Sequence, residues 1–213
     1  MNWLAGVFRS CLGKKLMMAI TGFCFCGFLI VHLAGNVTIY SGGDAFNAYA
    51  AKLHSLGVIL KIAEAGLVFF AIIHIAIGIL LFFENVRARP VRYHVKKTAG
   101  GQTIGAATMP YTGILVLVFV IFHLWNFTFV DKSETSIFEI VRIKFSTPLY
   151  VALYVAGMII VAVHLSHGLW SAFQTIGINH PKYTPFLRKA SLIFSVLIGF
   201  GFGTLPIYIS LIS

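Results

Sequence analysis

Five long apolar runs constrain this chain more than any motif does. In order they cover about 17–39, 58–83, 109–130, 149–173 and 190–212. Each holds between about 22 and 26 residues with few or no charges, so at about 1.5 Å of rise per residue each crosses a hydrocarbon core of about 30 Å with room to tilt. The expected fold is therefore all-α and integral to a membrane: five transmembrane helices in a single domain over residues 1–213, multi-pass in the lipid bilayer. Composition agrees, because 59% hydrophobic and 10% charged residues is too apolar for a soluble domain of 213 residues.

The formal charge of +10 does not point to nucleic acid, because the basic residues sit in short segments between apolar runs, where topology signals belong. Arg9, Lys14 and Lys15, then Arg87, Arg89, Arg92, Lys96 and Lys97, then Lys182, Arg188 and Lys189 account for eleven of the sixteen. The opposite side carries Lys52, Lys61, Lys132, Arg142 and Lys144, diluted by Asp44, Glu64, Asp131, Glu134 and Glu139. The N-terminus is expected on the cytoplasmic side of the cell (inner) membrane, and five spans put the C-terminus opposite. Cys24 and Cys26 lie two apart in one apolar run and Cys11 precedes it, so no disulfide framework follows; without CxxCH, covalent haem attachment is not indicated. No small-residue cleavage site follows the first run, which is read as retained.

The chemistry lies in the histidines. Of eight, His32, His74, His123 and His164 fall one to each of the first four spans, and His167 is an extra one on the fourth. Ionisable side chains at such depth are costly and usually functional. A single one is ordinarily an interhelical hydrogen-bond contact; four on four helices call for another account. The first and third spans run outward, which puts His32 and His123 about 21–23 Å from the inner surface. The second and fourth run inward, which puts His74 and His164 about 13–14 Å from it. Two pairs at two levels are what two stacked b-type haems need, each iron taking one imidazole from each of two helices. A single zinc or copper ion needs three or four ligands at one point instead. Gly27 and Gly35 near His32, Gly66 and Gly78 near His74, and Gly157 and Gly168 around the fourth-span pair offer room for a flat macrocycle, although glycine is also common at plain helix contacts. The four spans that carry a histidine form a weak internal parallel.

The resemblance is carried by several stretches taken together. KKLMMAITGFCFCGFLIVHLAGN, with Thr21-Gly22 at its start and His32-Leu33-Ala34-Gly35-Asn36 at its end, is similar to the first helix of the two-haem cytochrome b membrane-anchor subunits of succinate dehydrogenase and fumarate reductase. GGDAFNAYAAKL (42–53) resembles that family's first outer loop, and His164-x-x-x-Gly168-Leu169-Trp170 resembles its fourth ligand helix. The resemblance implies that His74 and His164 hold a proximal haem near the cytoplasmic side and His32 and His123 a distal one. It implies a flavoprotein subunit and an iron–sulfur subunit docked on the cytoplasmic face, which carry out the dicarboxylate chemistry. It also implies that this chain, the quinone-reactive electron-transfer subunit of the enzyme, exchanges electrons with a quinone, menaquinone by expectation. Some members of the family hold a glutamate two residues before the fourth ligand, tied to transmembrane proton movement; Ala162 stands there in this chain.

Several other residues have two readings each. Glu64, about six residues from the outer end of the second span, either exchanges the quinone's protons or pairs with Lys61 one turn away. Asn36 either bonds a propionate or quinone or makes a helix-to-helix amide contact. Trp125 and Asn126 either line the distal pocket or, for the tryptophan, anchor the interface. His167, one turn from His164, is expected behind the ligand as a hydrogen-bonding neighbour. His54 is a solvated loop residue or a quinone contact, and His94 and His180 face headgroups or partner subunits. The fifth span carries no redox residue and is expected to close the bundle. Two rival functions differ in class. An anchor of another two-haem respiratory dehydrogenase commonly uses fewer spans, and a histidine-based proton-coupled transporter needs broken helices at the midplane.

Overall fold

The structure, a computed structural model, describes residue 6 and residues 10–88 and 103–213. Arg9, Arg89, Arg92, His94, Lys96 and Lys97 lie outside the described residues. Seven helices are built from the described residues in Cys11–Ile212: α1 (Cys11–Val37), α2 (Gly43–His54), α3 (Val58–Arg87), α4 (Ile104–Phe127), α5 (Ile137–Phe145), α6 (Pro148–Thr175) and α7 (Thr184–Ile212). Five of them, α1, α3, α4, α6 and α7, are long and apolar enough to cross a membrane.

Each long helix outruns its apolar stretch because the capping residues lie in the polar flanks. Ser10 accepts a hydrogen bond from the Gly13 N–H at 3.0 Å, so α1 begins about two turns before the hydrophobic core does. Thr103 accepts from the Ala106 N–H at 3.1 Å and starts α4 ahead of Pro110, which stands inside the helix. Prolines sit in the first turn of α6 and α7, where their missing N–H has no intrahelical partner to lose.

The stretch likened to a first outer loop is the helix α2, and a second short helix, α5, lies between the third and fourth apolar runs. α5 opens with Ser136 accepting from the Glu139 N–H at 3.2 Å, half of a capping box. Arg142 then donates to both Glu139 oxygens at 2.8 and 2.7 Å, and this pair holds the Glu139 carboxyl below its ordinary pKa. α2 and α5 cross at close quarters: Asn47 accepts from the Phe138 N–H at 3.0 Å, and a Cβ on Gly43 would come 2.8 Å from the Phe138 ring. Phe46 and Phe145 from these helices meet Ile39, Tyr154, Leu205 and Ile209 in one buried cluster. The two short helices thus form a lid on the outer end of the bundle.

Within the bundle α6 is central, packing on α1, α4 and α7, while α3 packs chiefly on α1. The second apolar cluster joins Cys26 of α1, Met158, Val161 and Leu165 of α6, and Ile198 of α7. Membrane helices gain little from burying apolar groups against one another, so close packing of small residues does the work. At Gly199 of α7 a Cβ would lie 2.8 Å from the Ala162 Cβ and 3.3 Å from the Met158 carbonyl oxygen. At the inner end an ion pair between Lys14 and Glu84 joins α1 to α3. Large side chains such as Val58, Ile62, Val68 and Phe69 line the exposed outer half of α3. Gly199→Leu is expected to force α6 and α7 apart and destabilise the purified protein by about 1–3 kcal/mol, read as a lowered thermal midpoint in detergent.

Candidate functional site

His32 on α1 and His123 on α4 meet near the outer lid, with ring centroids 6.0 Å apart and planes at 83°. The helix repeat builds their surroundings, since residues four apart share a face. Phe28 stacks on His32 at 5.1 Å; Phe119 stacks on His123 at 6.2 Å, and Phe127 lies 5.4 Å away on the other side. Phe202 of α7 comes within 5.4 Å of His32 and Tyr154 of α6 within 6.0 Å of His123. Two imidazoles are thus held in an aromatic cage with no carboxylate among the described residues of its walls.

His74 on α3 and His164 on α6 form a second level, and each has a partner on a different helix. Thr21 of α1 lies 2.9 Å from His74 Nδ1, and Thr112 of α4 lies 3.2 Å from His164 Nδ1. Both threonines are buried, 3% and 8% exposed. The next residue in each case is glycine, and the imidazole lies against it: a Cβ at Gly22 would stand 3.8 Å from His74 Cε1 and one at Gly113 3.5 Å from His164 Cε1. Thr21 precedes His32, and Thr112 precedes His123, by 11 residues, three helical turns on one face. The levels are therefore separated by about 16 Å along the helix. The depths read from span ends differ by only about half of that, because the apolar runs do not mark the helix termini.

The outer pair has the spacing that two imidazoles on one six-coordinate iron need. Opposed metal–nitrogen bonds of about 2 Å plus the ring radii place imidazole centroids roughly 6 Å apart, the separation found for His32 and His123. Among the described residues no three His, Cys, Asp or Glu converge as a single metal ion needs. Hydrogen bonding at Nδ1 leaves Nε2 as the ring nitrogen of His74 and His164 that could face a ligand.

The remaining sequence candidates divide. Trp125 does not line the outer pair: it is 74% exposed, because two residues along a helix turn it about 200° from His123. Asn126, three residues on, returns to the buried face and is 2% exposed, donating to the Phe122 carbonyl at 2.8 Å. Asn36 makes no described bond to another helix; its amide donates to the His32 carbonyl at 2.8 Å and lies 3.4 Å from His32 Nδ1. His167 takes its hydrogen bond from Trp170 Nε1 at 3.3 Å, with Arg188 stacked 4.2 Å over the Trp170 ring; no bond from His167 to His164 is described. Glu64 is exposed on α3, and among the described residues it forms no ion pair with Lys61. His54 bonds its own helix at Ala50 O, 2.7 Å, and faces an outer cleft beside Asn47 and Lys132. His180 Nδ1 accepts from the Lys182 N–H at 3.2 Å.

The glycines divide as well. Gly35 is filled by the Tyr49 ring and Gly157 by the Phe119 ring, where a Cβ would come within 2.4 and 2.3 Å. Gly78 and Gly168 face methionine methyls, whereas Gly27 and Gly66 have nothing within 4 Å. Most of them serve packing. Thr112 and Gly113 escaped the sequence reading entirely, and Thr21-Gly22 entered it only as a likeness; the shared spacing to the outer histidines was the available signal.

The chain is 27% identical over 177 residues to the succinate dehydrogenase cytochrome b558 subunit of Bacillus subtilis (strain 168), covering 80% of this chain and 81% of that protein. No family model matches the chain, and no solved structure matches it significantly. The likeness agrees with the one read from the first and fourth spans, and with five apolar helices it makes this a multi-pass membrane protein. Gly157→Ala is expected to push Phe119 off His123 and lower stability by about 1–3 kcal/mol, whereas Gly27→Ala leaves it unchanged; thermal unfolding in detergent compares the two.

Proposed function

We propose that this chain is the membrane-anchoring cytochrome b subunit of a succinate:quinone oxidoreductase, with His74 and His164 ligating a proximal b haem and His32 and His123 a distal one. The observation that carries the reading is the facing of His32 and His123 at 6.0 Å across two helices; the likeness to a succinate dehydrogenase cytochrome subunit supports it. Bound haem supplies one-electron transfer at each level. The chain's own residues do the rest. Four imidazoles offer neutral nitrogen lone pairs from four helices. Phe28, Phe119, Phe127 and Phe202 exclude water around the outer pair. The helix rise sets the distance between levels.

On this reading the flavoprotein and iron–sulfur subunits dock on the cytoplasmic side, where the basic inner segments lie, and carry the dicarboxylate chemistry. The chain passes electrons to or from a membrane quinone, menaquinone by the family resemblance. Glu64, a carboxylate near the outer end of α3, is the group proposed to exchange the quinone's protons on that side. Ala162 offers no carboxylate beside His164, so no proton route is proposed there. The 1–213 chain acts as one domain.

Reduced-minus-oxidised spectra of the complex in membranes are expected to show b-type bands at about two haems per chain; absence of such bands in haem-replete cells overturns the reading. His74→Ala and His164→Ala are expected to lose the same haem, and His32→Ala and His123→Ala the other. His167→Ala is expected to retain both, and loss of a low-spin haem in that variant with His164→Ala unaffected would reverse the assignment.

A further inference from the structure

The two inner histidines share a device that repeats across the bundle. Thr21 bonds His74 Nδ1 at 2.9 Å while its hydroxyl also reaches the carbonyl oxygens of Met17 at 2.8 Å and Met18 at 3.2 Å. Thr112 does the same for His164 at 3.2 Å, with the carbonyl oxygens of Thr108 and Met109 at 3.2 and 3.1 Å. A threonine hydroxyl has one proton and two lone pairs. When that proton goes to the carbonyl one turn back, the oxygen meets the imidazole only as an acceptor. The imidazole must then carry its proton on Nδ1, which leaves the Nε2 lone pair free.

We propose that Thr21 and Thr112 are positioning residues that fix the tautomer and ring plane of His74 and His164 and raise the basicity of both as axial ligands of one haem. The proposal rests on the haem reading above. It assigns to α1 and α4 a double role. On the face that presents His32 or His123 to the outer level, three turns earlier, each helix presents a threonine acceptor to the inner one. The outer pair has no such hydroxyl among its described hydrogen bonds, so the two levels differ in ligand basicity by construction. Accepting from Nδ1–H gives the ring partial imidazolate character, which stabilises ferric over ferrous iron.

The test is redox potentiometry and electron paramagnetic resonance on the whole complex in membranes, for Thr21→Val, Thr112→Val and the corresponding Thr→Ser variants. Each Val variant is expected to shift the same one of the two haems to a more positive midpoint and to move that haem's low-spin g values, with a larger shift in the double variant. Ser, which keeps the acceptor, is expected to restore both. Unchanged potential and g values in haem-replete Val variants overturn the proposal while leaving the two-haem function standing, as does a shift confined to the other haem or one that Ser fails to restore. Loss of one haem in a Val variant, with Ser retaining it at the native potential, supports the proposal. A wild-type complex without b haem overturns the proposed function itself.

Discussion

A polar group that enters hydrocarbon must bring its partner with it or find one there, because an unmet hydrogen bond costs several kcal/mol without water. The backbone meets this demand by folding into helices, and the side chains meet it by pairing between them. His74 and His164 each find a threonine on a neighbouring helix. The threonines are themselves satisfied by carbonyls of their own helix. Such bonds are directional in a way that apolar contact is not. They tie α3 to α1 and α6 to α4 at one height, and the rest of the bundle is arranged around that tie.

The central position of α6 follows from what its successive turns carry. Met158, Val161 and Leu165 fill the core against α1 and α7, Gly157 admits the Phe119 ring of α4, and Tyr154 reaches the outer histidine cage. One helix therefore touches both levels. α3 differs, since it leans mainly on α1 and leaves its outer half exposed. On the proposed reading, the space beside such a helix is where a flat ligand would lie.

The outer lid closes the end of the bundle beside the cage of His32 and His123. α2 and α5 cross over the ends of the long helices and bury Phe46 and Phe145 beside Tyr154. At the inner end the described polar groups are more open: Lys14 pairs with a half-exposed Glu84, and Arg188 lies over Trp170 next to His167. One end is closed by side chains. The other presents charged side chains.

The sequence by itself determined the number of spans and which helix bears which histidine, because hydrocarbon thickness sets run length and an imidazole in such a run is conspicuous. It also sorted the histidines into two expected levels, since helix rise and span direction are local properties, and the structure sets His32 beside His123. Tertiary structure alone decided what surrounds them. Thr21 and Thr112 look like ordinary helix residues until α3 and α6 bring imidazoles against them. Gly35 and Gly157 read as space until Tyr49 and Phe119 occupy it. Trp125 follows His123 closely in the chain and still points away from it, because a helix turns about 100° per residue. Which side chain fills which gap depends on the crossing of helices far apart in sequence, and no local pattern encodes that.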